Sequence, residues 1–136
     1  MQIDVINERD DAVFDALVAG VREHNAEHLG SEAPKPLSVV ARDASGKLIG
    51  GLSGKTFSMH FLIDVLWVDE ASRGTGLGSK VMALAEAEAI ERGCVAAQVD
   101  TLSFQAPAFY QKLGFEVVGS ITGFAEHPDR RCFPNR

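Results

Sequence analysis

At 136 residues, with 46% hydrophobic and 24% charged positions, the chain is long enough for one globular domain over 1–136 with a core of its own. Its formal net charge of −6 argues against a general binder of nucleic acid or anionic membrane, leaving a local basic patch at Arg73 and Lys80. Cys94 and Cys132 hold no metal-ligand spacing to each other or to His24, His28, His60 and His127, so no metal is expected and both read as reduced thiols.

Ile3 to Ile6 suits a short strand, after which Asp10 or Asp11 caps a helix whose Val13, Phe14, Leu17, Val18 and Val21 share one stripe. Gly30, Pro34 and Pro36 break any long helix, so Asn25 to Pro36 reads as loop. LSVVAR (37–42) and KLIGGLSG (47–54) are strands joined by DASG, a hairpin turn. MHFLIDVLWVD (59–69) is nearly continuous in apolar residues, the pattern of a central strand buried on both faces.

Leu77, Val81, Leu84, Ala85 and Ala89 keep helical spacing as far as Arg92 and Gly93. VAAQVDT (95–101) is a strand, FQAPAFYQKL (104–113) a helix with proline in its first turn and Gly114 at its end, and FEVVGSI (115–121) a strand. RRCFPNR (130–136) carries Pro134 and must be an abbreviated or edge-like strand, which suits a homodimer formed through that edge. Strand, glycine loop, helix and strand make a βαβ unit and hence a parallel pair, while the hairpins are antiparallel. The economical α/β fold is a mixed, twisted sheet with helices on both faces.

The glycine loop is SRGTGLGSK (72–80), with Gly74, Gly76 and Gly78 at every second position. A P-loop requires G-x-x-x-x-G-K-[ST] and a dinucleotide fingerprint requires G-x-G-x-x-G; neither spacing is present. The loop nevertheless joins the end of a strand to a helix N-terminus, where open amides and the helix dipole attract anions. A tight turn needing positive φ is the structural alternative, although one glycine would serve it.

Arg73-Gly74-Thr75-Gly76-Leu77-Gly78, following LWVDE, resembles the coenzyme A pyrophosphate loop of the GNAT superfamily of N-acetyltransferases. AFYQKLGFEVVG (108–119) resembles the second signature of that superfamily, and the order of elements agrees from Leu37 to Ile121. The resemblance implies a centrally splayed sheet and acetyl-CoA as co-substrate. It implies that main-chain amides from Arg73 through Gly78 and Ser79 hold the pyrophosphate, and that Leu66, Trp67 and Val68 hold the pantetheine arm. Ser103 falls where many relatives carry an asparagine that contacts the cofactor. Tyr110 aligns with the general acid that protonates the departing thiolate, and a backbone N–H near Val68 is the expected oxyanion donor.

Acyl transfer to an amine also needs somewhere for the ammonium proton to go. Within MHFLIDVLWV the polar side chains are His60 and Asp64, on one face of a regular strand. A carboxylate in a buried strand must be paired or employed. Asp64 is therefore a candidate base or amine ligand, the alternative being a salt bridge to Arg22 or Arg42. His60, Gln105, and His24 and Asn25 at the end of the first helix are candidate acceptor contacts. No cysteine lies in either signature, so direct attack in a ternary complex is expected rather than an acyl-enzyme. The acceptor would be a small-molecule amine or an exposed amino group, with no nucleic acid or membrane partner. A non-catalytic acyl-CoA-binding or sensing module on the same fold is the alternative. The opening residues lack a secretion-signal pattern and no apolar run approaches the roughly 20 residues of a membrane span, so a cytoplasmic protein is expected.

Overall fold

The computed structural model describes residues 1–29, 32–102, 107–121 and 130–134. It divides into two compact units, Met1–Glu32 and Ala33–Arg136.

The first unit is built on α1 (Asp11–Leu29). Asp10 is its cap: the carboxylate accepts the Val13 N–H at 3.1 Å and the carbonyl accepts that of Phe14 at 3.0 Å. The helix runs five residues into the stretch expected to be loop, as far as Leu29. Ile3 to Ile6 forms no strand, since a strand exists only with a ladder partner and no turn ties these residues to one.

The second unit is a six-stranded mixed sheet. Its strands are β1 (Lys35–Arg42), β2 (Leu48–Phe57), β3 (His60–Val68), β4 (Ala96–Leu102), β5 (Gly119–Ile121) and β6 (Arg130–Pro134), in the order β1-β2-β3-β4-β6-β5. β1, β2 and β3 form an antiparallel meander, and β3 and β4 are the parallel pair of the βαβ unit. In the first hairpin, Asp43 folds its carboxylate over the turn and accepts the Ser45 hydroxyl and the Ser45 and Lys47 N–H groups. Those bonds, the Ser45 hydroxyl first, hold its carboxyl below the ordinary carboxylate value. The second hairpin turns through Ser58 and Met59, both left-handed at φ 52° and 64°.

Three strand expectations are corrected. β6 is short but not an edge: it lies between β4 and β5, with Pro134 at the last ladder position opposite Gln98, where a missing N–H is tolerated. The argument for a homodimer through that edge therefore falls. β5 spans only Gly119–Ile121, the residues that pair with β6, while Phe115 packs in the core and Val117 and Val118 are exposed. β3 is buried on one face rather than two: Phe61 and Ile63 point inward, while Val65 and Trp67 are exposed.

One hydrophobic core gathers Leu37 and Leu52 from β1 and β2, Phe61 and Ile63, Ala97 and Val99 from β4, and Tyr110 and Phe115. α2 (Leu77–Glu91) closes it with Val81, Met82, Ala85 and Ala89, its alanines letting the backbone approach the sheet. Leu84, expected in that stripe, is exposed, while Met82, outside it, is fully buried together with Ala85. α2 ends in a Schellman turn in which Cys94 N–H reaches Ala89 C=O and Gly93 N–H reaches Ile90 C=O, with Gly93 at φ 88°. Just there Arg92 clamps the helix to the sheet, its Nη1 donating to Pro36 O at 3.0 Å and Thr56 Oγ1 at 3.2 Å.

Candidate active site

The parallel ladder contains only His60↔Ala96, Phe61↔Ala97 and Leu62↔Gln98, while β3 stays on β2 as far as Val68. Past Leu62, among the described residues, one edge of β3 therefore has no strand beside it. Asp69 N–H donates to Ile49 C=O at 2.8 Å, which makes that opposition a hydrogen-bonded pair. Antiparallel pairs alternate, so Val65 and Trp67 turn their main-chain groups toward β2, and Leu66 and Val68 turn theirs to the open side. Arg73 Nε donates to the Val68 carbonyl there, at 3.1 Å.

The glycine loop meets this edge. Asp69 caps the short 3-10 turn Glu70–Ser72 through the Ser72 N–H at 2.9 Å, and Thr75 Oγ1 donates back to Ser72 O at 2.6 Å. Gly74 and Gly76 are left-handed at φ 76° and 84°, which other residues adopt at a cost. Gly78 serves packing instead: a Cβ there would stand 3.3 Å from the Phe109 ring. No side chain caps α2, so the first-turn N–H groups that lack intrahelical partners are left for water or a ligand.

α3 (Pro107–Lys112) carries Tyr110, which is buried and lies edge to face with Phe109 and Phe115, at centroid distances of 5.3 and 5.7 Å. Burial, and secondarily the Asp100 carboxylate, push its phenol above the ordinary value. It is therefore a protonated O–H throughout the neutral range.

A cleft of about 850 Å³ lies between the diverging strands. Of the residues expected at the cofactor, Leu66, Trp67, Val68, Arg73, Gly74, Gly76, Leu77, Gly78, Ser79 and Tyr110 all line it, as does Asp64. Thr75 does not; its hydroxyl is spent inside the loop. Trp67 lines the cleft, but its main chain belongs to the β2 ladder. Asp64 is not the buried carboxylate expected from a regular strand, since it is the extra residue of a bulge, with its side chain 58% exposed. Within its own unit, among the described residues, its cationic neighbour is Lys55, at 3.5 Å, rather than Arg42; Arg22 belongs to the other unit.

His60 stays at the opposite end of β3, its Nδ1 2.8 Å from Ser58 O, and does not line the cleft. His24 and Asn25 are in α1, in the other unit. Ser103, Gln105 and His127 lie outside the described residues. The cleft also holds Ser72, Val99, Asp100, Thr101 and Phe109, which the sequence reading did not select. Asp100 carried a weaker signal than Asp64, the one carboxylate of a strand that also holds Gln98 and Thr101. Among the described residues no group of His, Cys, Asp and Glu side chains could hold a metal ion, and no helix is long and apolar enough to cross a membrane.

Residues 7–115 match the sequence profile of the Acetyltransferase (GNAT) family. The chain belongs to that family. This GNAT acetyltransferase is 46% identical over 94 residues to blasticidin-S acetyltransferase of Streptomyces morookaense, covering 66% of this chain and 69% of that protein. It is 35% identical over 114 residues to acetyltransferase Atu2258 of Agrobacterium fabrum (strain C58 / ATCC 33970), covering 84% and 80% of the two chains. The crystal structure of an acetyltransferase from Bacillus cereus ATCC 14579 superposes with a TM-score of 0.83 at 30% identity, covering 98% of this chain and 97% of that one. The GNAT family uses acetyl-CoA, and the residues that the resemblance assigned to it are, with few exceptions, those that surround the cleft.

Proposed function

We propose that the chain transfers the acetyl group of acetyl-CoA to a primary amine by direct attack within a ternary complex. The observation that carries this reading is the end of the β3–β4 ladder at Leu62 and Gln98. It puts an open strand edge, an uncapped helix N-terminus and a protonated phenol around one cleft. The pyrophosphate belongs at the first turn of α2, where free N–H groups and the dipole favour negative charge. The pantetheine arm carries amides, and the main-chain groups of Leu66 and Val68 can pair with them as a neighbouring strand would.

The acceptor nitrogen attacks the thioester carbonyl carbon, and the negative charge that develops on oxygen is met by the Val68 N–H. As the C–S bond breaks, Tyr110 gives its phenolic proton to the departing sulfur and later regains one from solvent. An aqueous phenol of pKa about 10 protonates a thiolate whose thiol has a pKa of about 8.5 only against a small gradient, so position supplies much of the effect. The ammonium proton passes to Asp64, directly or through water, which its half-exposed position admits. No cysteine lies in either signature, Arg73–Gly78 or Ala108–Gly119, which favours direct transfer.

GNAT acetyltransferases act on amines of small molecules and of proteins, and the acceptor here is best sought by trial. Coenzyme A release from acetyl-CoA should be followed against a panel of amines. Because one relative is a blasticidin-S acetyltransferase, blasticidin S comes first, followed by aminoglycosides, polyamines, amino acids and peptides with free N-termini. Release dependent on one acceptor class supports the reading. Tight acetyl-CoA binding with no release for any amine would replace it with an acyl-CoA-binding module.

A further inference from the structure

The register of β2 on β3 breaks where the cleft begins. Lys55↔Leu62 and Gly54↔Ile63 are in step, the next pair is Ser53↔Val65, and Asp64 is the residue left over. The parallel ladder to β4 ends at the same level, at Leu62↔Gln98. A bulge bends the strand that carries it and increases its twist. The bend at Asp64 therefore acts on the segment from Leu66 to Val68 that has just parted from β4.

Across from the bulge stands a glycine with no room for anything larger. A Cβ on Gly54 would overlap the Leu62 carbonyl oxygen and stand 3.0 Å from Ile63 Cα and 3.1 Å from the Leu62 carbonyl carbon. All three are main-chain atoms, so no side-chain rotation relieves the overlap. We propose that Gly54 is a positioning residue for the cleft: its missing side chain lets β2 and β3 close around the bulge, and the bulge holds the open edge of β3 facing the glycine loop. Gly54 does not line the cleft and would touch no substrate. The inference rests on the reading of the cleft as the acetyl-CoA site.

The molecule contains its own control. A Cβ on Gly51 would stand 2.6 Å from the Val39 carbonyl oxygen, on the β1 side of the same strand. Gly51→Ala and Gly54→Ala thus aim the same kind of overlap at opposite neighbours, and only the second reaches the bulge. Both should lower the melting temperature. Gly54→Ala should also weaken acetyl-CoA binding by about tenfold or more in calorimetry, with Gly51→Ala within about twofold of the parent. The proposal is overturned if Gly54→Ala binds acetyl-CoA as tightly as the parent, or if Gly51→Ala loses as much.

Should Gly54→Ala not fold, deletion of Asp64 removes the extra residue without introducing a side chain. Acetyl-CoA affinity should again fall, and unchanged affinity would show that the bulge does not hold the cleft open. If the parent protein itself fails to bind acetyl-CoA, the functional reading is what fails. Gly54 is then judged on Trp67, the only tryptophan, which lines the cleft beyond the bulge. Its fluorescence should shift in Gly54→Ala, or in the Asp64 deletion if that is the variant that folds, and an unchanged spectrum would overturn the proposal.

Discussion

Phe115 donates its main-chain N–H to the Tyr110 carbonyl at 3.1 Å, and the rings of the same two residues meet edge to face at 5.7 Å. With Gly114 at φ 95° donating to Gln111, this is a Schellman turn completed by the hydrophobic contact that usually accompanies it. The device that stops α3 is thus also the device that orients the proposed acid. Both halves of it survive in Tyr110→Phe, which deletes only the hydroxyl. That variant should fold and bind acetyl-CoA normally, while kcat falls by roughly 10²-fold or more, the usual weight of a general acid. Steady-state kinetics beside a calorimetric acetyl-CoA titration would check it; unchanged kcat would remove Tyr110 from the chemistry.

The same burial makes a pH prediction. Tyr110 is the only tyrosine, so the ultraviolet absorbance of tyrosinate titrates this one site. Burial and then the Asp100 carboxylate hold its folded-state value above the ordinary value of about 10. The fold prefers the neutral phenol. Its contribution to stability is therefore complete below the unfolded-state value and lost as pH rises through the higher folded-state one. The absorbance midpoint should lie above 10 and move down in Asp100→Asn. Thermal stability should decline less steeply at alkaline pH in Tyr110→Phe than in the parent.

Gly76 sits at the N-cap of α2 with φ 84° and nothing within 4 Å of a Cβ built there. Substitution therefore strains the backbone without creating a clash. A β-branched residue is least able to adopt that conformation, whereas asparagine adopts it readily. Gly76→Val should keep the fold but re-aim the first N–H groups of the helix, lowering acetyl-CoA affinity by about tenfold or more. Gly76→Asn should retain most of it. Equal calorimetric affinities for parent and Gly76→Val would separate the loop from the ligand.

Arg92 offers a test confined to stability. Its guanidinium joins the last turn of α2 to the Pro36 carbonyl and to the buried Thr56 hydroxyl, and its Nε donates to Glu88 at 3.2 Å. Arg92→Met keeps most of the packing stem and strands those acceptors. The expected cost is about 2 kcal/mol, a fall in Tm of roughly 5–10 °C, with acetyl-CoA affinity unchanged.

Sequence patterns reached different parts of this molecule to different depths. The α2 loop was legible because glycine density, Arg73 and the following helix all report local requirements. Tyr110 was legible through the Gly114-Phe115 stop that follows it. Asp64 was identified as notable but misplaced in environment, because strand alternation assumes regular pairing and a bulge inserts a residue that no single-strand pattern reveals. β6 was misjudged for a related reason: Pro134 marks where pairing must stop, but not which strands lie on either side. The role of Gly54 was invisible, since close approach between two strands is a property of the pair and leaves only a glycine in the sequence.

The β2–β3 hairpin was the least conspicuous turn in the sequence, and it yields the last prediction. The two-residue connection between paired Phe57 and His60 is of the kind that holds both central positions left-handed, for which Asn-Gly is the usual solution. Here the positions are Ser58 and Met59, at φ 52° and 64°, and Met59 leaves its apolar side chain exposed. Each non-glycine residue held there costs about 1 kcal/mol, and Met59 is the poorer fit because it has no short polar side chain to satisfy the turn locally. The Met59 carbonyl still accepts the Val95 N–H at 2.8 Å, a main-chain bond that substitution leaves in place. Ser58→Asn with Met59→Gly should therefore stabilise the protein by about 1 kcal/mol, raising Tm by roughly 3–5 °C without altering kcat or the acetyl-CoA affinity. A lower Tm would mean that the Met59 side chain contributes more than its backbone costs.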